Sequence, residues 1–321
     1  MRVVIAGGSG QIGTILARNF VAHGADVTVL SRHLQPAPWK VVEWNGRDIS
    51  GWAEAIEGAE VVIDLAGRSV DCRYTPANRR EIMESRVLST QAIGKAISRA
   101  ARPPRVWLQA STATIYSHRY DALNDEITGI LGGREPSTPD TWRFSIDVAN
   151  AWEKACNESI TPQTRKVLMR SAMVMSPARG GIFDALLGLV RRGLGGRAGD
   201  GRQYMSWVHD QDFLNAIDWL IARDDISGAV NIASPNPLPN AEFMRDIRHA
   251  AGVRVGLPIN SAMLEVGAFL MRTETELILK SRRVVPRRLL DAGFRFVFPF
   301  WQQAANDLCK RAMLSVGAEL H

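Results

Sequence analysis

Residues 3–13 read VVIAGGSGQIG. Val3, Val4 and Ile5 form a β-branched, strand-like run that leads into Gly7, Gly10 and Gly13, three glycines spaced three apart. An amphipathic helical pattern, Gln11 to His23, follows directly. Strand, glycine turn and helix in this order form the first half of a dinucleotide-binding βαβ unit. Gly7 allows a tight turn off the strand. Gly10 lets the backbone approach a pyrophosphate, and Gly13 lets the helix pack closely. The helix N-terminus then offers unpaired N–H groups and the positive end of its dipole to the phosphates. Gly7, Ser9, Gly10, Gln11, Ile12 and Gly13 are therefore the expected pyrophosphate-lining residues.

The next strand-like run, Asp26 to Leu30, ends at Ser31-Arg32. A carboxylate at this place selects a free ribose 2′-hydroxyl, whereas a hydroxyl and a guanidinium suit a 2′-phosphate. The expected cofactor is NADP(H), with Ser31 and Arg32 on the phosphate and His33 beside them. No Lys-Ser or Lys-Thr pair follows the glycines, so a Walker-type phosphate loop is excluded.

The chain has 321 residues, of which 46% are hydrophobic and 22% charged, the composition of a globular protein with room for one large and one small domain. No apolar run reaches transmembrane length and no signal peptide is visible, so a cytoplasmic protein with no membrane partner is expected. Cys72, Cys156 and Cys309 are far apart and read as free thiols; the six histidines are scattered, and no metal site is expected. The net charge of +6 includes a basic cluster, SRRVVPRR, at residues 281–288. Without an aromatic-interleaved basic stripe, this balance fits an anionic cofactor and substrate better than nucleic acid.

Strand and helix patterns alternate through the first half. Strands are expected at Arg2–Ala6, Asp26–Leu30, Lys40–Trp44, Glu60–Leu65, Arg105–Ala110, Lys166–Val174 and Ala229–Ile232. Helices are expected at Gln11–His23, Ile49–Ile56, Pro76–Ala101 and Ser145–Glu158. The fold class is α/β: a doubly wound parallel Rossmann sheet of about seven strands with a smaller α+β domain on the substrate side. The expected division assigns 1–176 and 206–235 to the NADP-binding domain. The glycine-rich 177–205 and the proline-interrupted 236–321 form the second wall of a cleft over the strand C-termini.

The GxxGxxG spacing resembles that of the extended short-chain dehydrogenase/reductase superfamily. VVIDLAG (61–67), QASTATIYS (109–117) and WVHDQDF (207–213) are similar to its fourth strand, its fifth strand with the active-site hydroxyl, and its late "WIHxxD" signature. LAGRSVDCRYTPANRREIMESRV (65–87), AWEKA (151–155), the stretch from GLGG to GDGRQYMSWVH (193–209) and SRRVVPRRLLDAGFRFVFP (281–299) resemble an atypical, epimerase-like subfamily. Its members are often labelled predicted nucleoside-diphosphate-sugar epimerases and carry a small C-terminal domain. The resemblance implies that Asp48 meets adenine and that Leu65, Ala66 and Gly67 line the path from adenosine to nicotinamide. It also places Ala110 and Ser111 near the nicotinamide ribose.

The superfamily transfers hydride with a Tyr-x-x-x-Lys pair on the helix after the fifth strand. Aligned through Glu153, those positions hold Ser145 and Ala149, and no such pair occurs in residues 140–160. The lysine lowers a phenol pKa that is ordinarily about 10, so the standard acid/base group is missing. Thr112, which aligns with the catalytic hydroxyl, Tyr116 and His209 remain as catalytic candidates. Asp210 or Asp212 is expected to cap the helix after His209. Glu153 reads as a surface or ion-paired residue, Arg73 as a contact for an anionic substrate group, and the side of the helix that Arg86 occupies is open. The expected function is an NADP-dependent oxidoreductase or epimerase-like enzyme. It would act by hydride transfer on a small polar, sugar-derived substrate, with a homodimer as the candidate assembly. The alternatives are a catalytically silent NADP(H)-binding sensor or regulatory protein, and a nucleic-acid-associated protein.

Overall fold

The computed structural model describes residues 1–136, 138–259 and 279–318. In chain order the strands are β1 (Arg2–Ala6), β2 (Asp26–Ser31), β3 (Lys40–Glu43), β4 (Val61–Asp64), β5 (Val106–Thr112), β6 (Arg165–Ser171), β7 (Met173–Met175), β8 (Tyr204–Met205), β9 (Trp207–His209), β10 (Gly228–Ile232) and β11 (Leu238–Pro239). The named helices are α1 (Gln11–Ala22), α2 (Pro76–Arg99), α3 (Asp140–Glu158), α4 (Ile182–Arg191), α5 (Asp210–Ala222) and α6 (Asn240–Ala250).

Seven strands form one sheet in the order β10-β6-β5-β4-β1-β2-β3, with every pairing parallel. This is the expected doubly wound α/β sheet. Its central strands are near-continuous apolar runs because both faces are covered. On one face Leu16 and Phe20 of α1 and Phe213 and Ile217 of α5 pack on the sheet. On the other, Ile93 and Ile97 of α2 pack with Trp107 and Cys156.

Three local expectations are corrected. The strand expected at Lys166–Val174 breaks at Ala172, whose N–H bonds Ile232 O at 2.9 Å. Beyond it the chain leaves the large sheet, and β7 pairs with β9 instead. The helix expected at Ile49–Ile56 is a short 3-10 turn, Gly51–Ala55. The helix expected from Ser145 starts at Asp140, directly after Pro139, whose fixed φ suits a helix entrance.

A separate apolar cluster joins Phe183, Leu187 and Val190 of α4, Phe243 and Ile247 of α6, and the C-terminal helix Trp301–Ala318. Trp301 anchors it. Its ring stacks on Phe243 at 4.0 Å and its Nε1–H donates to Phe243 O at 2.9 Å. No helix among the described residues is long and apolar enough to cross a membrane.

Two glycines of the first turn meet backbone at distances no side chain tolerates. Gly7 has φ +71°, and a Cβ there would lie 2.7 Å from Ala66 Cα at the exit of β4. A Cβ on Gly13 would lie 2.3 Å from Gly8 Cα. The close packing that Gly13 permits is therefore against its own loop. Gly13→Ala should cost about 3 kcal/mol, the upper end of an overpacking penalty, read as a lower urea midpoint. An unchanged midpoint would show that the loop can move aside.

Beside this loop lies Asp64, fully buried. Its carboxylate accepts from Ala66 N–H (2.9 Å) and from the Thr90 hydroxyl (3.1 Å), and Trp152 Nε1–H donates to the same hydroxyl (3.1 Å). Burial pushes the Asp64 pKa up from 3.8 to about 6, against those hydrogen bonds. A raised carboxyl pKa means the folded state holds a proton that the unfolded chain has already released. Its contribution is thus fully present below pH 3.8 and is lost as pH rises to 6. Relative to Asp64→Asn, the wild type should lose about 2 kcal/mol between pH 4 and 7. Parallel pH profiles of chemical denaturation for the two proteins would contradict this.

Candidate functional site

After β1 the chain runs out to β2 and β3, then crosses back to β4 on the other side of β1. Ligands of open α/β sheets bind at such a reversal, outside the strand C-termini. Three adjoining cavities lie there, the first two sharing Leu65 and the second and third sharing Ser171, Ala172 and Ile182.

The first cavity, about 450 Å³, is lined by Gly7, Ser9 and Gly10, by Ser31 and Arg32, by residues 44–47 and by Leu65, Ala66 and Gly67. No side chain caps α1, so the N–H groups of its first turn are open to a ligand. A Cβ on Gly10 would meet nothing closer than 3.9 Å, so this glycine leaves room on the ligand side that folding does not require. Ser31 Oγ accepts from His33 N–H at 3.2 Å, which leaves its own proton to donate. Arg32 is exposed and makes no ion pair among the described residues. By contrast Arg47 and Arg68, also at the rim, are paired with Glu84 and Glu81. Asp48 is not among the residues that line this cavity. It is exposed and turned back to accept from Asn45 Nδ2 at 3.0 Å, while Asn45, Gly46 and Arg47 face the cavity.

Gln11, Ile12, Leu65, Ala110 and Ser111 line the second cavity, about 360 Å³, together with Phe213. Ser111 donates to Glu153 Oε1 at 2.6 Å. Glu153 is held by Arg170 in a two-pronged pair, 2.8 Å on each side, and both side chains are buried. Glu153 is thus ion-paired, though inside the molecule rather than at the surface. Burial alone would lower the Arg170 pKa; the adjacent Glu153 carboxylate outweighs it and raises it. Ser111, with its proton committed, presents its remaining lone pair as an acceptor.

A third cavity, about 250 Å³, is reached by Thr112, Tyr74, Ser145, Arg86 and Arg282, with Phe144, Trp152 and Ile82 among its apolar walls. Thr112 Oγ1 accepts from Thr114 N–H at 3.1 Å, which leaves its proton free to donate. Ser145 stands at the superfamily's tyrosine position; its hydroxyl lies 3.3 Å from the Tyr74 hydroxyl. Ala149, at the lysine position, is fully buried and brings no charge.

Two catalytic candidates lie elsewhere. Tyr116 lines none of these cavities. Its hydroxyl donates to Asn231 Oδ1 (2.9 Å) and accepts from Arg170 Nη1 (3.0 Å), and burial raises its pKa. It completes the network behind Ser111. His209 is also buried away from them. Its Nδ1 and the Asp210 Oδ1 both accept from Gln211 N–H (3.1 and 3.0 Å), so His209 shares the cap of α5 with the expected Asp210. Its Nε2–H donates to Asp307 (3.0 Å), its ring stacks on Phe298, and burial lowers its pKa. Asp212 accepts from Val297 and Phe298 N–H at 2.7 and 2.8 Å. The WVHDQDF signature therefore ties the C-terminal segment to α5.

The basic cluster is largely engaged inside the protein. Arg287 pairs with Asp125 and Asp291, Arg288 donates to Ser227 O and Ala229 O, and Arg283 lies over the Tyr204 ring. Arg282 reaches the third cavity. Sequence reasoning missed Arg170 and Arg282 as site residues and left the direction of Arg86 open. Arg282 carried one signal, a place in a stretch typical of the subfamily.

Comparison with known proteins agrees with this architecture. The NAD dependent epimerase/dehydratase family matches residues 3–139, and a domain of unknown function, DUF1731, matches residues 261–308. The epimerase family protein SDR39U1 of Bos taurus is 31% identical over 303 residues, covering 93% of this chain and 96% of the relative. A Mycobacterium tuberculosis epimerase family protein is 31% identical over 296 residues, 92% of this chain and 93% of its own. Human SDR39U1, solved with NADPH, superposes with a TM-score of 0.84 at 29% identity, over 97% of this chain and 99% of that one. The UDP-N-acetylglucosamine 4-epimerase of Bacillus cereus shares the fold at 15% identity and a TM-score of 0.73, over 98% and 99% of the two chains. By sequence over nearly its whole length, and by its sheet and glycine turn, the chain belongs to the NAD-dependent epimerase/dehydratase family.

Proposed function

We propose that this protein binds NADP(H) along the strand C-termini and works as an oxidoreductase or epimerase-like enzyme by hydride transfer. The observation that carries the reading is the run of three adjoining cavities, with the phosphate-suited pair Ser31-Arg32 at one end and Thr112 at the other. The NADPH bound to human SDR39U1 supports the cofactor. Free cysteines are in keeping with a reducing, cytosolic setting.

NADP(H), when bound, supplies or accepts the hydride. The α1 N-terminus and the Gly7–Gly10 turn hold the pyrophosphate. Arg32 and Ser31 hold the 2′-phosphate. Ser111, fixed by Glu153 and Arg170, accepts a hydrogen bond near the nicotinamide end. Thr112 donates to the oxygen on the reacting carbon and stabilises the charge that develops there. With no lysine at position 149, proton delivery falls to the hydroxyls of this cavity, Thr112, Ser145 and Tyr74, and to water.

Reduced-nicotinamide fluorescence tests the cofactor. NADPH should bind more tightly than NADH. Arg32→Ala should weaken NADPH at least about tenfold, the loss of one charge-assisted hydrogen bond, and leave NADH unchanged. Equal affinities in the wild type would reject the assignment of Ser31 and Arg32.

For the chemical step, Thr112→Val should keep the NADPH affinity and lower turnover about a hundredfold, as removal of an oxyanion donor does elsewhere. Unchanged turnover would remove Thr112 from the mechanism. Tight NADPH binding with no cofactor oxidation across a broad carbonyl panel would favour the silent sensor.

A further inference from the structure

The third cavity combines features that define a substrate class. Among the described residues its lining includes no Asp or Glu and two guanidinium groups, Arg86 and Arg282. Arg86, on α2, is fixed by its own surroundings. Its Nη1 donates to Arg68 O (3.0 Å) and Ile82 O (3.1 Å), and its Cζ lies 5.0 Å from the Trp152 ring centroid. Among the described residues no carboxylate pairs with it, and its Nε and Nη2 make no hydrogen bond. Burial lowers its pKa to about 10, so it is still charged at neutral pH.

A half-buried, immobilised guanidinium with unspent donors is a receptor for an anionic group, and its planar fork matches a carboxylate. Arg282 also lines the cavity, its Nε donating to Thr114 Oγ1 at 3.2 Å. Its apolar wall includes Val70, Ile82, Phe144, Val148 and Met173. Such a wall desolvates a hydrocarbon body. At about 250 Å³ the space suits a small ligand.

We propose that the substrate is a small oxo or hydroxy acid with an apolar body. Its carboxylate sits on Arg86, and its reacting oxygen faces Thr112. The inference rests on the hydride-transfer reading. Reduction of the oxo carbon takes one hydride from NADPH and one proton to the oxygen, and leaves the hydroxy acid and NADP⁺.

The test is calorimetric titration of the NADP⁺-loaded protein, after the NADP⁺ affinity itself has been measured, with 4-methyl-2-oxopentanoate as probe. The comparison ligands are its neutral counterpart 4-methylpentan-2-one, 3-methylbutyl phosphate and UDP-glucose. Saturable binding of the oxo acid, at least tenfold tighter than each of the others, is expected. Arg86→Gln should remove that preference while the neutral ketone is unaffected. Equal binding of the ketone, tighter binding of the phosphate ester or UDP-glucose, or no saturable heat from the acid overturns the proposal. If Arg86→Gln does not fold, the wild-type comparison decides alone. Failure to bind NADP⁺ strikes the hydride-transfer reading. The acid titration, repeated without cofactor, then still tests the anion site.

Discussion

Backbone has to touch backbone at the first turn of this protein. Gly7 lies against the exit of β4, and Gly13 lies against Gly8 within the turn, both closer than any Cβ permits. That contact sets where α1 begins and how its N-terminus points. It also seats the Leu65–Gly67 segment beside the glycine loop, and residues of both line the first two cavities. Gly10 belongs to the same turn but obeys a different constraint: it faces open space, so packing does not require its lack of a side chain.

Behind the groove, buried polar groups are organised in chains rather than isolated pairs. Trp152, Thr90 and Asp64 link α3 and α2 to β4. Ser111, Glu153, Arg170, Tyr116 and Asn231 link β5, α3, β6 and β10. Buried polar groups are costly unless satisfied, and a fully satisfied network is rigid. Both chains end at the walls of the cofactor groove, which they hold in shape.

Beside the positions where the superfamily carries its Tyr-x-x-x-Lys pair, polar groups arrive from other parts of the chain. Ser145 and Ala149 leave space and no charge on α3. Tyr74 from the loop after β4 brings a phenol to Ser145, and Arg86 from α2 brings a cation into the same cavity. These groups come from segments far apart in sequence, so no local spacing motif reports them.

Local patterns in the sequence determined the α/β class, most of the strands of the large sheet and the glycine turn, because hydrophobic periodicity and backbone permissiveness are local properties. The lining of the first two cavities by Gly7, Ser9, Gly10, Gln11, Ile12, Ser31 and Arg32 was legible from the glycine turn and the strand that follows it, and that by residues 65–67 and 110–111 from the family resemblance. Tertiary structure alone decided the roles of isolated side chains. His209 and Tyr116 look reactive in sequence, yet their polar atoms are committed to Asp307 and to Arg170 and Asn231. Asp48 belongs to a turn that folds back on Asn45. The strand from Lys166 divides at Ala172, and the part beyond it pairs with β9, which is remote in sequence. Whether a side chain meets a ligand or a neighbour depends on contacts between distant segments, and those exist only once the chain has packed.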